Sequence, residues 1–488
     1  MQLKETYTSF IDGAFSGAIH GEPIPVLNPA NGETIAMLGY ADTDELDRAV
    51  AAGQKAFFQW EKTSAKERAS ILNRMADCMD ANKERLGRIE AMDVGKPIGE
   101  AILQMGMCAD MYRYFAAAIL SKDDVLVCHE GGSMSAVVRE PLGVVGLILP
   151  WNAPSMLLSW KLAPALAAGN CAIVKPASVA PLVVLELAEL WASILPAGVL
   201  NIVVGHVHEI GDAFVRHPGI SKLSFTGSTA VGRQIGGAAG ERIIPCTLEL
   251  GGKSAVVVFD DANLDRALQM TALGILSSNG QVCVAGSRVF VQSGIYDAFL
   301  NRMVEIFKGI RIGDPQDPEI QMGPIVDDRQ LNSVLRYIEC GKAEGARLLC
   351  GGVRLTEGAY SKGNFVTPTI FADVKPDMRI AREEIFGPVL CISRFETEEE
   401  ALQLANDSEY GLGGAVWTQD FSRALRVSRS IQAGTVWIND YLDSSPGNPF
   451  GGYKNSGLGR EIHKMALDQY SNVKNIVLNP DTSVPSLF

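Results

Sequence analysis

From Val144 onward, short apolar runs alternate with helix-like stretches, and no other feature restricts the fold so strongly. The runs Val144–Leu149, Cys171–Val174, Leu200–Val204, Lys222–Phe225 and Thr247–Leu250 read as strands. Between them, Pro181–Leu195, Ile210–Arg216 and Thr229–Ala239 carry helical spacing. Apolar strands separated by helices are buried on both faces, which requires a parallel sheet covered on either side. The pattern restarts after Gly251-Gly252, with Ser254–Phe259 and Ser287–Val291 as strands and Leu264–Leu276 and Tyr296–Ile306 as helices. The expectation is an α/β protein with two such units and a boundary near Gly251-Gly252.

The flanks read differently. Residues 43–120 are helical by periodicity. Residues Val125–Arg139 predict a hairpin turning at Gly131-Gly132, and Asn472–Val477 a last strand. A chain of 488 residues has room for about three domains. Its net charge of -13, with cations scattered rather than clustered, argues against nucleic acid and anionic membranes as partners. The nine cysteines are odd in number and include no C-x-x-C pair, which speaks against a disulfide framework and a zinc site. His206 and His208 have no third ligand beside them, so no metal is expected. The N-terminus leads into no apolar leader run, and Lys161 and Pro164 interrupt the apolar stretch after Leu149. A reducing cytoplasm is the predicted compartment.

Two segments carry chemistry. Cys283, between Gly280 and Gly286, reads as a thiol on a tight, open loop. Most cysteines are small buried hydrophobes, but a second motif weighs against that here. Glu249 stands between two leucines just before Gly251-Gly252, where an unsatisfied carboxylate would be costly. A thiol and a carboxylate in apolar surroundings suit covalent catalysis followed by hydrolysis.

Together with further strings, these segments resemble the aldehyde dehydrogenases over nearly the whole chain. The strings are Pro150-Trp-Asn152-Ala-Pro154, Val174-Lys175-Pro-Ala-Ser178, Phe225-Thr-Gly227-Ser228-Thr-Ala-Val-Gly232, Leu248-Glu249-Leu-Gly-Gly-Lys253, Gly280-Gln-Val-Cys283, Glu384-Ile-Phe386-Gly-Pro-Val389 and Pro449-Phe450-Gly-Gly-Tyr-Lys-Asn-Ser-Gly457. The resemblance implies a Rossmann-like cofactor domain from residues 1–120 and 142–251, a second α/β catalytic domain over 252–453, a return to the first over 454–469, and a small β oligomerisation arm from 121–141 and 470–488. It implies a homodimer or homotetramer.

It also implies roles. Cys283 is the nucleophile, Asn152 and the Cys283 amide are oxyanion donors, and Glu249 is the base that activates water. NAD or NADP lies beyond the strand ends, with ribose at Lys175, pyrophosphate at Gly227 and Ser228, and the nicotinamide end near Glu384, Phe386, Pro150 and Trp151. Ser178 stands where NAD-preferring members often carry a glutamate. A small neutral side chain there leaves room for a 2′-phosphate; Ser178 can also cap the next helix, and both readings can hold together. Ala153, Ser277 and Ser444 are small where many members carry aromatics. With Leu157, Trp160 and Phe450 as walls, they predict a wide pocket for a bulky or aromatic aldehyde. Two rivals remain: a relative that passes the thioester to CoA, and a silent structural protein on the same scaffold.

Overall fold

The computed structural model describes residues 3–130, 132–205 and 207–480, without the side chains of residues 207–209. Two large sheets carry the molecule. The first has eight strands, in the spatial order Gly457–Leu458, Cys246–Glu249, Lys222–Thr226, Val144–Ile148, Cys171–Lys175, Leu200–Ile202, Phe10–Ile11 and Ala14–Phe15. Its interior ladders are parallel, as continuous apolar strands require. Its edges are antiparallel. The second has seven strands, in the order Arg347–Cys350, Thr369–Ala372, Val389–Phe395, Arg288–Gln292, Ala255–Val258, Gly413–Trp417 and Thr435–Ile438. Only the Arg347–Cys350 pairing is antiparallel there.

Local chemistry fixes the helices. Ser64 accepts from Glu67 N–H to start Ala65–Val94, and Gly95, at φ 90°, ends it. Asn263 caps Leu264–Leu276 in the same way. The predicted helix Leu264–Leu276 matches its observed bounds, whereas Pro181–Leu195 shortens to Leu182–Trp191. The start of that shorter helix corrects one reading of Ser178. Asp93, from the neighbouring helix Ala65–Val94, accepts the Leu182 N–H at 2.8 Å, so Ser178 is not the cap.

The hairpin forms from Val125–Cys128 and Met134–Pro141, and the final strand Ser471–Leu478 pairs along Met134–Pro141 in a separate three-stranded sheet. Of its predicted turn, Gly132 has φ 85° and Gly131 lies outside the described residues. His206 also lies outside them, as do residues 481–488 of the arm. The short strands before residue 40 had no readable period. Among the described residues no helix is long and apolar enough to cross a membrane.

Candidate active site

The site lies where the two sheets meet. Helix Leu264–Leu276 runs into a turn in which Ser278, Asn279 and Gly280 have φ of 47°, 62° and 78°. The loop is anchored residue by residue. Asn279 Nδ2 donates to the carbonyls of Gly95 (2.9 Å) and Pro324 (2.8 Å), and its Oδ1 accepts from Gly323 N–H at 2.7 Å. Gln281 Oε1 accepts from Val326 N–H, and Tyr441 donates its hydroxyl to the Val284 carbonyl at 2.7 Å. This corrects the expectation of an open loop. Gly280 is needed for its positive φ and also for space, because a Cβ there would collide with the Gly387–Pro388 backbone.

Asn152 reaches this loop. Its Nδ2 donates to the Gln281 carbonyl at 2.8 Å, which commits one amide hydrogen and leaves the other for a ligand. The Cys283 residue is partly exposed. Burial around its sulfur nonetheless pushes the thiol up to about 12, Glu384 and Glu249 add to the effect, and the Val284 and Cys283 amides oppose it. Burial thus favours the protonated thiol in the cofactor-free protein.

Two carboxylates lie near Cys283. Glu249 ends the strand Cys246–Glu249, and neither of its oxygens has a hydrogen-bond partner among the described residues. Burial holds it well above the usual carboxylate range, nearby Glu461 raises it further, and Lys161 and Arg460 counteract. Glu384 accepts the Gly252 N–H at 3.0 Å, and burial raises it to about 7 against the pull of that amide and Lys253. The Gly251-Gly252 turn is wedged between these groups. A Cβ on Gly251 would collide with the Glu384 carboxylate, and one on Gly252 with the Cys283 carbonyl.

The cofactor candidates fall into two clusters. Lys175 and Ser178 both donate to the Gly205 carbonyl, at 3.2 and 2.7 Å. Burial lowers Lys175 to about 8. The exposed Ser228 caps the helix Thr229–Arg242, and the Gly227 N–H donates to the Glu249 carbonyl at 3.0 Å. At the other end, the rings of Trp151 and Phe386 meet edge to face at 5.3 Å, with Phe386 at φ 58° and Pro150 beside them in sequence. Among the pocket candidates, Trp160 and Phe450 pack at 4.9 Å, and Leu157 and Trp160 share the helix Pro154–Ala167, which Ala153 precedes. Ser277 borders the nucleophile turn. Among the described residues Ser444 makes no hydrogen bond to the others.

A sequence model of the aldehyde dehydrogenase family matches residues 17–476. The chain belongs to the aldehyde dehydrogenase family. Solved structures agree with the family fold. A Burkholderia cenocepacia protein assigned as an aldehyde dehydrogenase is 42% identical, with a TM-score of 0.97 and 99% of each chain covered. PnpE, in complex with nicotinamide adenine dinucleotide, is 39% identical at a TM-score of 0.96, with 99% of each chain covered. Betaine aldehyde dehydrogenase from Staphylococcus aureus, in complex with NAD+, is 36% identical at 0.96, covering 99% of this chain and 96% of its own.

Within this aldehyde dehydrogenase, sequence reasoning missed Lys161 and Glu461. They form a buried ion pair at 2.5 Å, with Ser224 also on Glu461 at 3.3 Å. The available signal was Lys161 itself, a lone cation in an otherwise apolar helix.

Proposed function

We propose that the protein oxidises an aldehyde to its carboxylic acid through a covalent adduct on Cys283, with hydrolysis rather than transfer to CoA. The observation that carries this reading is Glu249: a buried carboxylate with no hydrogen-bond partner, beside a glycine turn that touches the Cys283 backbone. Burying an unpaired carboxylate is costly, and burial raises its proton affinity, as a base that takes a proton from water requires. Transfer to a thiol needs no such base.

In this reading the Cys283 thiol gives up its proton to solvent and the thiolate adds to the aldehyde carbon, and the resulting oxyanion takes the free amide hydrogen of Asn152 and the Cys283 N–H. NAD or NADP, when bound, supplies the acceptor for the hydride that leaves the hemithioacetal. The residues fit such a group. Buried Lys175 and Ser178 converge on Gly205, the helix after Ser228 offers its N-terminus, and Glu384, Trp151 and Phe386 surround the nucleophile's side. Glu249 then takes a proton from the water that cleaves the thioester. The first parallel sheet serves as the dinucleotide-binding unit and the second carries the nucleophile. Trp160 and Phe450 as walls, with Ala153 at the pocket's edge, favour a bulky or aromatic aldehyde. All nine cysteines are free, which suits a cytoplasmic setting.

The test is Glu249→Gln in pre-steady-state kinetics. The first turnover of NAD(P)H should persist while the steady-state rate falls about 10²–10⁴-fold, the usual worth of a general base. An unchanged steady-state rate, or turnover that requires CoA, refutes the reading.

A further inference from the structure

The chemistry above uses Cys283 but leaves open what holds the turn before it. Ser278 and Asn279 are not glycines, yet both sit in the left-handed region, where side chains are strained. Asn279 is locked by its three side-chain bonds. Ser278 is held from elsewhere in the sequence. Its N–H donates to Glu100 Oε2 at 2.9 Å, and its hydroxyl donates to Glu100 Oε1 at 2.6 Å. Glu100 lies in the first turn of helix Ile98–Leu120 and belongs to none of the motifs.

Glu100 is itself oriented. Gln104 Nε2 donates to Glu100 Oε1 at 3.1 Å. Gln104 Oε1 in turn accepts from Lys96 Nζ at 2.6 Å, and Lys96 pairs with Glu90 at 2.8 Å. Lys96 and Glu90 are fully buried. The cation has only donors, so it fixes the direction of the Gln104 amide, and that amide points an N–H at Glu100. Every partner of Glu100 among the described residues is therefore a donor, and its two carboxylate oxygens accept from all of them.

We propose that Glu100 is a positioning residue for the nucleophile: its carboxylate holds Ser278 in the left-handed conformation and so sets where the Cys283 sulfur stands. The inference rests on Cys283 being the nucleophile. Glu100 touches neither substrate nor cofactor.

The experiment compares Glu100→Ala, Ser278→Gly and the double variant with the wild type, reading kcat, KM and the rate of Cys283 alkylation by iodoacetamide. Releasing one strained residue should lower kcat about tenfold in Glu100→Ala, with KM for the dinucleotide unchanged and alkylation altered. Glycine adopts positive φ without strain, so adding Ser278→Gly should restore most of the lost kcat. A general loss of stability would not be repaired in that way. A folded Glu100→Ala enzyme with wild-type kcat and alkylation overturns the proposal, and so does a folded double variant with no recovery. If Glu100→Ala does not fold, Ser278→Gly must exceed Ser278→Ala in kcat, and equality overturns the proposal. Cys283→Ala, run alongside, tests the nucleophile separately. Activity there removes that reading and this one with it, whereas an inactive Cys283→Ala beside an unaffected Glu100→Ala removes only this one.

Discussion

A thiol pushed up to about 12 is a poor nucleophile at neutral pH, and the cause is burial compounded by two nearby carboxylates. Alkylation of Cys283 in the free protein should therefore climb with pH through the alkaline range without levelling near neutrality. Adding NAD+, whose ring is cationic, should move that profile downward. A profile that levels near pH 7 without cofactor would contradict the burial argument. Cys283→Ala should abolish oxidation and leave dinucleotide binding intact by titration. Glu384 gives a stability prediction of definite sign. Its folded pKa, about 7, lies above the ordinary carboxylate value of 4.5. The folded state thus holds this proton more tightly than the unfolded chain does. Its contribution to stability is full below the unfolded pKa and is lost as pH rises through 7. Glu384→Gln should raise the Tm of the cofactor-free protein at pH 8 and change it little at pH 5, as thermal melts at the two pH values will show.

At the scale of elements, the catalytic turn and the Gly251-Gly252 turn fit together by backbone contact. Gly252→Ala would drive a methyl into the Cys283 carbonyl, and overpacking of this kind costs about 1–3 kcal/mol. We expect a lower Tm and a reduced kcat together, with dinucleotide affinity less affected. The strands and helices around these turns were legible because period and punctuation are local. Leu264–Leu276 was read to the residue, and Cys171–Lys175 within one. Cys283, Glu249 and Asn152 were singled out as candidates, each in a motif of its own. What could not be read was set by contacts across the chain. The packing of Gly280 on Gly387, the Asp93 cap on a distant helix, and the Lys161–Glu461 pair all join residues far apart in sequence. A sequence pattern gives each side chain its type but not its neighbour. For the same reason the burial of the Cys283 thiol could not be read, since burial is a property of the assembled fold.

At the scale of the whole molecule, the three-stranded sheet of Val125–Cys128, Met134–Pro141 and Ser471–Leu478 leaves Val125, Leu126, Val473 and Val477 exposed by half or more. Such a row of apolar side chains on an open sheet calls for a partner, in keeping with a homodimer or homotetramer. Val473→Asp combined with Val477→Asp should shift the protein to smaller species in sedimentation while the isolated subunit keeps its fold. An unchanged mass would mean that assembly does not use this sheet. The edge strand Gly457–Leu458 has a different reach. It pairs with the strand that ends in Glu249, Ser456 accepts the Leu250 N–H and donates its hydroxyl to the Gly251 carbonyl, and Glu461 supplies the partner of Lys161. The segment that completes the surroundings of the Glu249 carboxylate thus lies far along the chain from it. A chain cut before Ser456 would keep Cys283 yet leave the Gly251 turn and the Lys161 charge without their partners.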